Sequence, residues 1–145
     1  MDIGVFEEAR FLERPNRFLA LVELDGRRVG AHVPDPGRLT ELLRPGAMVR
    51  LRPAAGKGRR TAWDMIGVKC PRGWVNIDAR LPNLLFAEAL REGRLAEFPR
   101  PRALRPEFPY GASRLDFLLE YESLPRLVEV KGCTLVAGNT ALFPD

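Results

Sequence analysis

The sequence predicts a mixed fold: a small antiparallel β-barrel over residues 1–80, followed by an α/β domain over residues 81–145. Three observations predict it. Short alternating runs separated by Gly, Pro and Asp fill the first half. A helix-forming run, Leu84-Leu-Phe-Ala-Glu-Ala-Leu90, opens the second. Two strand-like runs, Leu115–Leu119 and Leu127–Lys131, follow it across a short loop.

The barrel elements can be justified in order. Phe18-Leu-Ala-Leu-Val-Glu-Leu24 runs into Asp25-Gly26, a favoured two-residue hairpin turn, and Arg28-Val-Gly-Ala-His-Val33 returns from it. Pro34-Asp-Pro-Gly37 then leads to one helical turn, Arg38 to Leu43, closed by Pro45-Gly46. Ala47-Met-Val-Arg-Leu-Arg52 alternates at period two, so Arg50 and Arg52 leave one face while Val49 and Leu51 leave the other. Trp63–Lys69 and Trp74–Ile77 are the last two strands, joined by Cys70-Pro-Arg-Gly73. Five short strands with a small helical insertion make an OB-type barrel, a fold that often binds nucleic acid. Trp63 and Trp74 sit in apolar strands and are expected in the core, with stacking on bases as the alternative.

A domain boundary is expected near residue 80, where the character of the chain changes. Asn83 is the expected N-cap of the helix and Gly93 marks its end. Phe98–Pro109 reads as a Pro-rich connection to the hairpin that completes the α/β domain.

Composition narrows the function classes. A chain of 145 residues with 46% hydrophobic content folds rather than staying disordered. No apolar run approaches the roughly 20 residues of a membrane helix, and charges interrupt Met1–Arg10 where a signal peptide would be apolar. A cytoplasmic protein with no membrane partner is therefore expected. Cys70 and Cys133, without nearby histidines, are expected to be reduced thiols. His32 is the only histidine, so no histidine-based triad or two-histidine metal site fits in one chain, and a place on the barrel rim is expected for it. The net charge of +4 suits a polyanionic partner. From Arg44 to Arg60 the chain carries six basic residues and no acidic one. Arg50, Arg52, Lys57, Arg59 and Arg60 are the candidate nucleic-acid contacts, the last three in a Gly-flanked loop able to follow a phosphate backbone or simply to remain solvated.

The chemistry is expected in the second half. Residues i and i+2 share a strand face, so Glu129 and Lys131 point the same way. If the loop centres on Glu122 and Ser123, antiparallel pairing sets Asp116 opposite Glu129. Facing carboxylates repel unless a cation lies between them, and hard oxygen ligands suit Mg²⁺. Asp116 and Glu129 are thus the candidate metal ligands and, with Lys131, the candidate catalytic group. Lys131 could orient or deprotonate a water, or stabilise charge developing on phosphorus. An ordinary exposed hairpin face accounts for the same residues, with Glu129 paired to Lys131 or Arg114 and Asp116 solvated.

The strand-borne Asp followed by Glu-x-Lys resembles the PD-(D/E)XK nuclease superfamily, whose triad would map onto Asp116, Glu129 and Lys131. More particularly, Tyr110-Gly-Ala-Ser-Arg-Leu-Asp-Phe-Leu-Leu119, Val128-Glu-Val-Lys-Gly-Cys-Thr-Leu135 and Leu142-Phe-Pro-Asp145 resemble the sugar fermentation stimulation protein A family. Asn16-Arg-Phe-Leu-Ala20, His32-Val-Pro-Asp-Pro-Gly37 and Leu42-Leu-Arg-Pro-Gly46 are similar to the same family's N-terminal signatures. The resemblance implies an OB-like domain, a PD-(D/E)XK nuclease-like domain, DNA binding and a role in regulating sugar metabolism genes. It also makes Glu88 a match for the first-helix carboxylate of such nuclease folds, beside its reading as a surface helix residue. Family members continue past Phe-Pro-Asp, so the nuclease-like domain over residues 81–145 is expected to be truncated at its C-terminus. An uncovered sheet edge would favour association, so a homo-oligomer is an open expectation.

Three functions remain in view. The first is a DNA-binding protein whose nuclease-like half is an inactive platform; the second is a Mg²⁺-dependent nuclease hydrolysing DNA phosphodiester bonds. A protein-interaction module is the third.

Overall fold

A computed structural model describes residues 4–143 of the chain. Six strands make the first sheet: β1 (Glu7–Asn16), β2 (Leu19–Leu24), β3 (Arg27–His32), β4 (Met48–Pro53), β5 (Trp63–Cys70) and β6 (Gly73–Asn76). Their order is β3-β2-β1-β4-β5-β6, and a parallel pairing of β3 with β5, Ala31 against Trp63 and His32 against Asp64, closes the ring. β1 to β5 are therefore the five strands of a closed OB-type barrel, with β6 extending β5 as a hairpin. The predicted barrel is present, but its strand list differs by one. β1 carries Glu7, Glu8, Arg10, Glu13 and Arg14, which mask its inward pair Ala9 and Phe11, both buried. The fifth strand expected from sequence is β6, outside the ring.

Closure gives this sheet a core. Val22, Val33, Val49, Leu51, Met65 and Val68 are fully buried inside it. Asp25 (φ 50°) and Gly26 (φ 72°) both take positive φ, the geometry of a type I′ turn whose twist matches the strands it joins. The predicted helical turn is a single hydrogen-bonded one, in which the Leu42 and Leu43 amides both donate to the Leu39 carbonyl. Leu39 and Leu43 cap the core from there. Trp63 packs against the core as expected, but the Trp74 ring lies under the Arg50 guanidinium on the outside.

The chain divides into two compact units. One spans Arg80–Gly132; the other comprises the barrel and residues 133–143. The hairpin of β10 (Leu135–Ala137) and β11 (Thr140–Leu142) thus groups by contact with the barrel, and Arg72 donates to the Gly138 carbonyl there. Residues 144 and 145, the end of the Leu142-Phe-Pro-Asp145 signature, lie outside the described residues.

The Arg80–Gly132 unit is an antiparallel sheet of order β7-β8-β9 with one helix, α1 (Leu81–Arg91). The strands are β7 (Ala103–Tyr110), β8 (Ser113–Glu120) and β9 (Arg126–Val128). Pro82 in the first turn of α1 supplies a preset φ where an amide donor is not needed. The helix therefore begins before Asn83; its N-cap is Arg80, and Asn83 is inside it. β7 is unpredicted because Pro106 and Pro109 argue against a strand, yet as an edge strand it tolerates both. Ala87, Leu90, Phe117 and Leu119 form the buried core, with Phe86 set against Phe117 at 5.3 Å and edge-on to Phe98 at 5.5 Å. Among the described residues no helix is long and apolar enough to cross a membrane.

Candidate functional site

The expected register around the second loop is present. Phe117 pairs with Val128, Leu118 with Leu127 and Leu119 with Arg126, a progression that sets Asp116 against Glu129. The ladder stops one pair short of them, because β9 ends at Val128 rather than running on to Lys131. The Val130 amide instead donates to Asp116 Oδ2 at 2.7 Å. On its other side, the ladder with β7 skips the pair of Asp116 and Glu107, and Glu107 has a positive φ of 52°. A left-handed conformation at a non-glycine residue costs about 1–3 kcal/mol and persists only where the surroundings impose it. Asp116 thus sits at a break in both flanking ladders. Its Oδ1 accepts a hydrogen bond from the Asn83 side-chain amide at 2.7 Å, which ties α1 to the sheet and explains why Asn83 is not a cap.

Lys131 Nζ lies 2.5 Å from Glu129 Oε1, and both side chains are exposed. The hydrogen bond to Glu129 raises the Lys131 pKa above its ordinary value; desolvation opposes it, and the charges of Glu129 and Asp116 add smaller upward contributions. Lys131 is thus held as a cation beside the two carboxylates. The two ways of reading this face each capture part of it: Glu129 does pair with Lys131, but Asp116 is half-buried and hydrogen-bonded, and Arg114 pairs with Glu107. Glu88 lies half-buried on α1. Among the described residues no group of three His, Cys, Asp or Glu side chains forms a metal cage.

The donor chemistry nevertheless fits a divalent cation held by Asp116 and Glu129. Each carboxylate offers about four lone-pair positions, of which the hydrogen bonds above use two on Asp116 and one on Glu129. Two carboxylates are what a hard ion such as Mg²⁺ usually takes from a protein, leaving its other positions to water and phosphate oxygens.

The barrel treats its acids differently. Asp64 and Asp78 are both 4% exposed. Arg59 pairs with Asp64, His32 Nδ1 lies 3.1 Å from the same carboxylate, and Arg52 reaches Asp78 at 2.8 Å and Asp64 at 3.9 Å. Arg50 is sandwiched between the rings of Phe6 at 4.1 Å and Trp74 at 3.9 Å, with Glu8 at 3.3 Å. Of the candidate nucleic-acid contacts, Arg50, Arg52 and Arg59 therefore have internal partners, while Lys57 and Arg60 project from the loop between β4 and β5. Arg60 and the partly exposed His32 line a cleft of about 670 Å³ with Arg17, Phe18, Leu19 and Thr61. His32 is thus at the barrel rim, as expected.

Sequence reasoning missed Arg14. Its guanidinium donates to the carbonyls of Gly37 and Arg38, each at 2.7 Å, Arg17 at 2.6 Å and Asp35 at 2.9 Å. Burial lowers its pKa, with Asp35 opposing. One partly buried arginine in a charge-rich strand gives no sequence signal of this, because its acceptors are backbone groups.

Two family models match the chain, one described as the SfsA N-terminal OB domain over residues 12–77 and the other as the sugar fermentation stimulation protein RE domain over residues 80–145. The chain belongs to the sugar fermentation stimulation protein family. Curated relatives include the homologue from Moorella thermoacetica, 49% identical over 95% of this chain and 60% of its own length. Another is the homologue from Methanothermobacter thermautotrophicus, 46% identical over 93% of this chain and 56% of its own length. The solved structure of Pyrococcus furiosus SfsA in complex with Ca²⁺ superposes with a TM-score of 0.91 at 32% identity, covering 100% of this chain and 62% of that one. The chain spans about three-fifths of the length of these relatives. Within the signature His32–Gly37, Arg14 anchors the loop through the carbonyls of Asp35 and Gly37.

Proposed function

We propose that this SfsA-family chain binds DNA through its OB-type barrel, and that regulation of sugar metabolism genes is the setting of that binding. The observation that carries the reading is the loop between β4 and β5, where Lys57 and Arg60 are exposed and Arg60 lines the cleft. OB folds bind oligonucleotides on the face of their second and third strands and through the loops at that end, which is where this loop and the β1–β2 turn lie in the chain order. Neutralising the internal acids with Arg52 and Arg59 leaves the loop cations without acidic competitors in the segment Arg44–Arg60. Binding should weaken steeply with salt, because each phosphate contact releases counterions. Titration of a labelled duplex at several salt concentrations tests this: Lys57→Ala and Arg60→Ala should each lower the slope of log K against log salt by about one. Salt-independent binding would overturn the reading.

A second reading has its own observation, the break in both ladders at Asp116, beside Glu129 and Lys131. It is a metal-dependent nuclease. A bound Mg²⁺ would polarise a phosphate oxygen and lower the pKa of a coordinated water. Asp116 would be held in position by Asn83 and the Val130 amide, and Lys131 would stabilise charge developing on the phosphoryl oxygens. That Pyrococcus furiosus SfsA is described in complex with Ca²⁺ supports a divalent site in the family. Incubation of plasmid with and without Mg²⁺ or Mn²⁺, beside Asp116→Asn, decides between the two. Metal-dependent cutting lost in the variant establishes hydrolysis, while unchanged binding without cutting leaves the binding function alone.

A further inference from the structure

We infer that Phe18 is a stacking platform for an unpaired nucleobase, which makes single-stranded nucleic acid the preferred ligand of the barrel. This rests on the proposed nucleic-acid function and names its substrate class.

Phe18 is 53% exposed, although it follows the buried-face pattern of β2 in sequence and its neighbours Leu19 and Ala20 are partly and fully buried. Its backbone is fixed at both ends: the amide donates to Asn16 Oδ1 at 2.9 Å, and the carbonyl accepts from the Val33 amide at 3.0 Å. The ring is therefore presented from the β1–β2 turn, next to the start of β2, on a backbone held by these two hydrogen bonds. The Arg17 guanidinium lies 5.8 Å from the ring centroid, near the outer limit of a cation–π contact, so that a base can add to the stack or take that place. Phe18 opens onto the cleft of about 670 Å³ shared with His32, Arg60 and Thr61. That cleft therefore combines a π-face, cations for a backbone phosphate, and polar groups able to meet a base edge. Asp64 engages Nδ1 of His32, which leaves Nε2 as the ring nitrogen that the carboxylate does not use.

The preference for a single strand follows from access. In a duplex each base face is covered by the next base, so an aromatic ring on a protein surface reaches only edges and phosphates; an unstacked base offers its whole face. A purely electrostatic surface would bind the duplex at least as well, since the duplex has the higher charge density. Phe18 is what separates the two cases.

The test uses the chain as it exists and four labelled probes of about twelve units, within the ~4–16 nucleotides that one OB fold covers. They are oligo-dT, oligo-rU, a mixed-sequence duplex and inorganic polyphosphate. The single strands should bind about tenfold tighter than the duplex at equal salt, and Phe18→Ala should remove about tenfold of that affinity, the scale of one stacked base. Duplex and polyphosphate binding should not change in this variant. Phe18→Trp should restore single-strand binding, and an unchanged urea midpoint for Phe18→Ala would show that the barrel is intact. Loss of either strand's binding in Phe18→Ala supports the inference, and the tighter of oligo-dT and oligo-rU names the ligand. Equal affinity for strand and duplex, or an unchanged Phe18→Ala, overturns the inference while leaving general nucleic-acid binding in place. Failure of every nucleic-acid probe at low salt would remove both together.

Discussion

The barrel and the Arg80–Gly132 unit place acidic side chains away from water in opposite ways. In the barrel, Asp64 and Asp78 are buried against arginines, so each negative charge has a positive one in contact. In the other unit, Asp116 is half-buried on two neutral donors, the Asn83 side chain and the Val130 amide. Across from it lies another carboxylate, Glu129, whose own cation Lys131 is exposed. Charge that is neutralised internally serves the fold. Charge that is held in place by neutral donors beside a second carboxylate is what the proposed nuclease reading would give to a divalent cation. The cores differ in the same direction: a closed ring excludes water from all sides of its interior, whereas a sheet of three strands and one helix buries four hydrophobic side chains.

The largest test of this contrast removes equivalent leucines. Leu51 and Leu119 are both 0% exposed, and truncation of a buried leucine costs about 2–5 kcal/mol. Leu51→Ala should lower the stability of the barrel and leave it folded. Leu119→Ala takes one of the four buried side chains of the smaller core and should unfold that unit. The probes separate cleanly, since both tryptophans, Trp63 and Trp74, lie in the barrel unit and α1 supplies the helical signal. Urea titration followed by tryptophan fluorescence and by circular dichroism at the helix band should move only the first probe for Leu51→Ala and only the second for Leu119→Ala. A common shift in both would dissolve the distinction.

Some of this contrast is legible in the sequence. The register that sets Asp116 against Glu129 follows from the centre of a short loop, because antiparallel pairing is simple arithmetic once the loop is placed. The Asp25-Gly26 turn is legible for the same local reason. What fails is what depends on distant partners. β1 is hidden by its charges and β7 by its prolines, since neither local pattern shows that one strand lines a closed core and the other is an edge. Asn83 carries the signal of a cap, but its partner Asp116 is 33 residues away and outcompetes that local role. Arg50 is predicted to face outward, and it does; the rings of Phe6 and Trp74 that enclose it come from the N-terminal segment and from β6. The alternating charges of β4 say nothing of either.

The next test applies one substitution to both carboxylates. Asp64→Asn keeps the shape but removes the charge that Arg59 and His32 face, and hydrogen bonds to charged groups contribute about 1.5–3 kcal/mol. Because those partners keep nearly a third of their exposure, a loss at the low end of that range, about 1.5 kcal/mol, is expected in the urea midpoint of the barrel.

Asp116→Asn should have the smallest effect and the opposite sign. The new amide oxygen can accept from the Val130 amide, and Asn83 can turn its own carbonyl toward the new NH₂ group, so both hydrogen bonds survive. What disappears is the repulsion from Glu129, where facing like charges cost about 0.2–1 kcal/mol, offset in part by the lost attraction between Asp116 and the exposed Lys131. The variant should therefore be as stable as the parent or slightly more so by circular dichroism in a chelating buffer. Adding Mg²⁺ should reverse the order, because a ligand at ten times its Kd stabilises the protein that binds it by about 1.4 kcal/mol. The parent gains this and Asp116→Asn does not. If Asp116→Asn instead destabilised the unit as Asp64→Asn does the barrel, with Mg²⁺ making no difference, Asp116 would be a structural acid like the other two and the contrast between the units would be one of size alone.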